Sequence, residues 1–211
     1  MSWFSDLLYP PRCVICRKFL PNSRVSLCED CSKWQMRNKT LFFRGKQVTL
    51  CVSPLPYEEP FRASFHRFKF KGARFYARHY APWLAACITQ EAPDWDILTW
   101  VPISRRRRRE RGYDQTRDLA RETAKLLGVR AEPCLRKIQN NPAQSGIRDR
   151  EARLANVKGA YAPLHPEQWQ GKRILLIDDI ITTGATMEEC AKVLRRAGAA
   201  SVCGATLASA N

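Results

Sequence analysis

Between Ile174 and Thr186 the chain reads Ile-Leu-Leu-Ile-Asp-Asp-Ile-Ile-Thr-Thr-Gly-Ala-Thr. Four apolar residues predict a buried strand, Ile174 to Ile177, that carries Asp178 and Asp179 to a sheet edge, and the Thr/Gly-rich turn behind them opens directly into a helix. Such a turn suits a phosphate. Backbone N–H groups at a helix N-terminus point at the anion, the hydroxyls of Thr182, Thr183 and Thr186 add donors, and Gly184 lets the backbone approach without a Cβ in the way. Two carboxylates just upstream stand where they accept hydrogen bonds from the two hydroxyls of a ribose. Cradle and diol clamp together describe a ribose 5-phosphate. The competing reading, a buried strand that ends in an Asp-Asp turn by chance, explains the apolar run but not the Thr-Thr-Gly-Ala-Thr behind it.

A second constellation lies nearer the amino terminus. Cys13 and Cys16 form one Cys-x-x-Cys pair and Cys28 and Cys31 another, with eleven residues between them and turn chemistry at Leu20-Pro21-Asn22-Ser23. Four thiolates so spaced can converge on one tetrahedral Zn²⁺. A redox role needs only one such pair at a helix N-terminus and leaves the other unexplained. Cys51, Cys87, Cys134, Cys190 and Cys203 are scattered among apolar residues and read as small buried hydrophobes. His66, His79 and His165 have no acid or nucleophile at telling spacing, so none is assigned a catalytic role.

The elements that must position these groups emerge from periodicity. Apolar runs at Ile97 to Ile103, Ile174 to Ile177 and Ser201 to Leu207 predict strands, and Gln115 to Leu127 and Ala185 to Ala197 predict helices stopped by Gly128 and Gly198. Strand and helix alternate, which implies an α/β domain with a mainly parallel sheet and places ligands at the carboxyl ends of the strands. Upstream, Gln47 to Ser53 suits a short strand, and Pro54, Pro56 and Pro60 break any regular structure just beyond it. Asn140 to Gly146 is loop chemistry and the charged run Arg148 to Arg153 is exposed, so a mobile excursion is expected there.

The chain has 211 residues, 45% apolar and 27% charged, which allows one domain with an appendage or two small domains and excludes a disordered chain or a repeat array. No apolar run approaches the roughly 18 residues of a membrane span. Met1 to Cys13 lacks the basic flank and long apolar stretch of a signal peptide, so a cytoplasmic location is expected.

Its formal net charge is +16, a balance that favours a polyanionic partner such as nucleic acid or an anionic membrane surface. Two stretches hold most of it. Arg105 to Arg111 carries +5, and Phe61 to Tyr80, with seven aromatic residues and no acid, carries +6, together +11 of the total. Aromatic rings interleaved with cations suit single-stranded nucleic acid, and Arg62, Arg67, Lys69, Lys71, Arg74, Arg107 and Arg108 are the candidate contacts. The alternative is structural: Phe61, Phe65 and Phe68 fall at i, i+4 and i+7, one face of a helix that packs into a core.

The segment Ile174 to Thr186 resembles the phosphoribosyl pyrophosphate motif of type I phosphoribosyltransferases along its whole length. Val101-Pro102, the arginine run and Glu110-Arg111-Gly112-Tyr113-Asp114-Gln115 are similar to a segment of the ComF family, with Tyr for Phe and Asp for Asn. Gln144, Gly146, Arg153, Asn156 and Gly159-Ala160-Tyr161 resemble that family's middle segment. The resemblance implies a Cys₄ zinc module over 1–45, a basic aromatic linking segment over 46–95, partly helical and packed on the carboxyl-terminal domain, and a phosphoribosyltransferase-like domain over 96–211.

It also implies roles. Asp178 and Asp179 would clamp the ribose, and Ile180, Thr182, Thr183, Gly184, Ala185 and Thr186 would hold the 5-phosphate. The turn at Ser104, Arg105 and Arg106 would meet pyrophosphate accompanied by Mg²⁺, and 136–153 would form a flexible hood. Lys137, Arg148 and Arg150 are either pyrophosphate contacts or solvated surface. The function so implied is binding of phosphoribosyl pyrophosphate in natural transformation and DNA utilisation, with single-stranded DNA and DNA-uptake or replication-restart proteins as partners. Two alternatives stay open: an active transferase acting on an unidentified base, and a zinc-bearing DNA-binding protein with a vestigial pocket.

Overall fold

The computed structural model describes residues 10–140 and 155–210. Helix α1 (Glu29–Arg37) starts directly behind Cys28, its N-cap, with Glu29 and Asp30 in the first turn where the helix dipole favours acids. A strand that the periodicity does not announce, β1 (Leu41–Phe43), then pairs antiparallel with β2 (Cys51–Ser53). The strand expected from Gln47 begins only at Cys51, and the reason is physical. The backbone N–H groups of Lys46, Gln47 and Val48 donate to the carboxylate of Glu188 at 3.0–3.1 Å, so they are spent before a ladder can form.

After β3 (Leu55–Pro56) come two helices, α2 (Phe61–Phe70) and α3 (Tyr76–Glu91). Strand β4 (Ile97–Trp100) leads to α4 (Arg105–Arg111), capped by the Ser104 hydroxyl and closed by Gly112 at φ 79°, and then to α5 (Gln115–Leu126), capped by Asp114. Strands β5 (Leu135–Lys137) and β6 (Tyr161–Pro163) form a small antiparallel pair. The carboxyl-terminal unit is β7 (Arg173–Ile181), α6 (Ala185–Arg196) and β8 (Ser201–Ser209). Arg136 and Lys137 of the expected hood belong to β5, whereas 141–153 lie outside the described residues.

The main sheet runs β1-β2-β8-β7-β4, with β3 also on β8, and every pairing except β1–β2 is parallel. Strand alternation divides β7 between two cores: Leu175 and Ile177 face α3, α5 and the cysteine module, and Ile174 and Leu176 face α6 and the small sheet. Phe61, Phe65 and Phe68 are buried in the first of these cores, as are Tyr76 and Tyr80. Phe70 and Phe75 are half exposed. All five scattered cysteines are buried. Among the described residues no helix is long and apolar enough to cross a membrane.

Candidate functional site

The Sγ atoms of Cys13, Cys16, Cys28 and Cys31 lie within 4.8 Å of one another, and Cys16 and Cys28 approach to 3.6 Å. Sulfurs at about 2.3 Å from a tetrahedral zinc stand roughly 3.8 Å apart, so the cluster fits Zn²⁺. Burial raises the Cys13 thiol, but backbone N–H groups of Cys16, Cys28 and Ile15 outweigh it and bring it down to about 7, whereas burial pushes the Cys16 and Cys31 thiols up; the sulfur geometry carries the zinc assignment. Four converging sulfurs are what a structural zinc site requires and more than a redox pair uses.

The second site is a cleft of about 320 Å³ where β7 ends. Asp178, Asp179, Thr182 and Thr186 line it together with Arg107, Arg111 and Lys137. Behind the two acids the chain turns sharply: β7 stops at Ile181, Gly184 takes φ 76° as the N-cap of α6, and the Ala185 N–H lies 3.5 Å from the Thr183 hydroxyl. Gly184 is required twice over, because a Cβ there would lie 2.2 Å from the ring of Phe43.

The two acids differ. Asp179 is buried and engaged at both oxygens: Lys69 Nζ lies 3.2 Å and Gln115 Nε2 3.0 Å from Oδ2, and the Ile180 N–H donates to Oδ1 at 2.7 Å. Burial alone would raise its pKa, but the Lys69 ammonium and the Gln115 amide outweigh it and hold the carboxyl below the ordinary value. Among the described residues, Asp178 accepts a single hydrogen bond, from the Asp179 N–H at 2.8 Å. Burial and the neighbouring charge push it well above the usual range.

This pair fits poorly as a site for Mg²⁺ held by the protein. Such an ion wants free, ionised oxygens in octahedral array, and Asp179 already engages Lys69, Gln115 and the Ile180 N–H while burial and the neighbouring acid disfavour the charged form of Asp178.

The cations are distributed differently from the sequence order. Ser104 is buried as a helix cap, and Arg105 and Arg106 point to solvent, Arg106 paired with Glu110 at 2.8 Å. The next turn, Arg107 and Arg111, faces the cleft. Arg111 stacks over Phe70 at 4.9 Å, and its buried Nη1 has no hydrogen-bond partner among the described residues. Lys137 Nζ donates to the Tyr161 hydroxyl at 3.3 Å, and burial with the Arg107 guanidinium lowers its pKa. Unpaired buried donors are costly unless something anionic meets them.

From the other basic stretch, Arg62 and Lys69 also line the cleft. Arg67 turns away, its Nη2 donating to the carbonyls of Val14 (3.2 Å) and Ile15 inside the first cysteine pair. Arg74 is held by Asp118 at 2.5 Å. Lys71 and Arg108 are exposed. Sequence reasoning misses Gln115, Arg111 and Tyr57 of the cleft; for Arg111 a signal exists, its i, i+4 spacing from Arg107, which puts the two on one helix face.

Comparison with known proteins agrees with this anatomy. The family model "Phosphoribosyl transferase domain" matches residues 119–211, and "Double zinc ribbon domain" matches residues 4–41. Competence protein F of Haemophilus influenzae is 25% identical over 89% of this chain and 92% of its own. Competence protein ComFC of Bacillus subtilis is 29% identical over 92% and 76%, and the DNA utilization protein YhgH of Salmonella typhi 28% over 90% and 86%. The cysteine cluster, the mostly parallel sheet and these matches make the chain a homologue of competence protein F/ComFC and YhgH, a double zinc ribbon joined to a phosphoribosyl transferase domain.

Proposed function

We propose that the cleft binds phosphoribosyl pyrophosphate. The ribose hydroxyls would meet Asp178 and Asp179, the 5-phosphate the turn from Thr182 to Thr186 with Ile180 and Ala185 contributing backbone, and the pyrophosphate Arg107, Arg111 and Lys137. The observation that carries this reading is the meeting of the Asp-Asp pair, the helix N-terminus and partly buried cations, including Arg111 with its Nη1 unpartnered among the described residues, in one cleft. The Mg²⁺ expected to accompany the pyrophosphate would have to be held by the ligand's own oxygens. Isothermal titration with phosphoribosyl pyrophosphate tests the assignment: saturable binding lost in Asp178→Asn supports it, and no heat from the parent protein rejects it.

The relatives' names bring in DNA. Arg105, Arg108 and Arg109 on the outer side of α4 are exposed and free of acidic partners among the described residues, which suits the backbone of single-stranded DNA in competence or DNA utilisation. Binding measured over a salt series in Arg105→Ala/Arg108→Ala/Arg109→Ala tests this surface, and an unchanged slope would rule it out. An active transferase would in addition release pyrophosphate when offered an acceptor base, which a panel of bases resolves.

A further inference from the structure

Lys69 sits at an unexpected place. It comes from α2, outside the phosphoribosyl transferase match, and delivers an ammonium to the second acid of the Asp-Asp pair at 3.2 Å. Its own surroundings fix it there: the ammonium lies 5.3 Å from the ring centre of Phe65, which is buried, and only a quarter of the side chain reaches solvent. Asp179 therefore already has a cation: Lys69 and Gln115 share Oδ2, and Oδ1 takes the Ile180 N–H with one lone pair left over for a ligand hydroxyl.

The rest of the cleft repeats the pattern. Five cationic side chains, Arg62, Lys69, Arg107, Arg111 and Lys137, line it against two acids. Of those acids Asp179 is already paired with Lys69 at 3.2 Å, which leaves the other four cations facing Asp178 alone. Lys137 and Arg111 are both pushed below their ordinary values, by burial first, and Arg107 adds to this as a like charge at each. Such a cluster is relieved by an anion. It would be opposed by a divalent cation arriving at the same place, because like charges in a partly desolvated site repel strongly.

We propose that this cleft holds its polyphosphorylated ribose ligand without a divalent metal ion, Lys69 supplying the cation at Asp179 and Arg107, Arg111 and Lys137 the counter-charge for the phosphates. The inference rests on the reading of the cleft as a phosphoribosyl pyrophosphate site and adds where the positive charge comes from. A further consequence concerns Asp179 itself. With Lys69 removed, its carboxylate becomes an available oxygen ligand, and binding should turn metal-dependent.

Calorimetric titration of the full chain with phosphoribosyl pyrophosphate, in Mg²⁺ and after metal removal by EDTA in short exposures that leave the zinc in place by elemental analysis, decides the matter. The parent protein should bind about equally in both. Lys69→Gln should lose about tenfold or more without metal, the loss of one charge-assisted contact, and recover part of it in Mg²⁺. Lys69→Arg, which keeps the charge, should behave like the parent.

A parent affinity that collapses without Mg²⁺ overturns the proposal, as does a Lys69→Gln protein as indifferent to metal as the parent. If Lys69→Gln fails to fold by circular dichroism, the parent and Lys69→Arg in the two buffers still separate metal-free from metal-dependent binding. Absence of binding by the parent in either buffer would instead reject the reading of the cleft itself.

Discussion

Helices α2 and α4 are both arginine- or lysine-rich and both short, yet they do opposite things with their charge. In α2 the aromatic stripe Phe61, Phe65 and Phe68 is buried, and the two cations that flank Phe68 are drawn inward with it, Arg67 to the carbonyls of the zinc module and Lys69 to Asp179, while Arg62 stays exposed. In α4 no residue is buried, and only Arg107 and Arg111 turn to the cleft. The difference lies in the apolar anchor. A cation beside a core-forming ring is carried to wherever that ring packs, whereas a helix without rings leaves its arginines in water. Local density of positive charge is therefore a poor guide to an interface, and the apolar residues interleaved with it decide which charges remain available.

The contrast between the two helices breaks most easily at the anchor. Phe68→Ala should cost about 3–5 kcal/mol by opening a cavity among Tyr80, Tyr113 and Phe65, seen as a large drop in the denaturation midpoint. Arg67→Met should cost about 1.5–3 kcal/mol, the value of charged hydrogen bonds, and should also loosen zinc, read by the rate of metal loss to a chelator.

The two acids that α2 touches unequally should separate in a stability–pH profile. Asp179, held low, contributes stability that is present above the ordinary carboxylate range and lost as pH falls through its lowered value, so Asp179→Asn should be destabilising at neutral pH. Asp178, held high, binds its proton more tightly folded than unfolded. Its contribution is full at low pH and is lost as pH rises through the raised value, so Asp178→Asn should be as stable as the parent or more so at neutral pH. Equal midpoints for the two variants would contradict the split.

The smallest stability effect belongs to α4. Arg108→Ala should change stability by less than about 0.5 kcal/mol. It should instead lower the log–log salt slope of single-strand binding by about 0.7.

Contiguous chemistry is legible in the sequence and assembled chemistry is not. The residues of the Asp178-to-Thr186 turn, like those of each cysteine pair, lie within a few positions of one another, so their types announce the geometry. Helix α5 matches its expected bounds to within one residue because Asp114 and Gly128 punctuate it. By contrast, Lys69 meets Asp179 across 110 positions, and Glu188 captures the N–H groups of Lys46 to Val48 across about 140. No local pattern encodes such a pairing, because it depends on how α2 and the segment behind β1 are folded onto β7 and α6. Ser104, Arg105 and Arg106, where pyrophosphate contacts are expected, do not line the cleft, whereas Arg107 and Arg111 do, for a related reason. Capping commits the serine, and the helix phase points the two arginines outward.

Strand β1 has a consequence for dissecting the protein. On the sequence, the cysteine module and the linking segment part company near residue 45; in the fold, that cut separates β1 from β2 and Phe43 from Gly184. A fragment running from 46 to 211 would present the bare edge of β2, an invitation to intermolecular pairing, and would free the Phe43 ring from the turn it covers. The piece that looks like a detachable appendage is thus the chaperone of the sheet's own margin, and aggregation of such a fragment would reflect a missing neighbour rather than a faulty core.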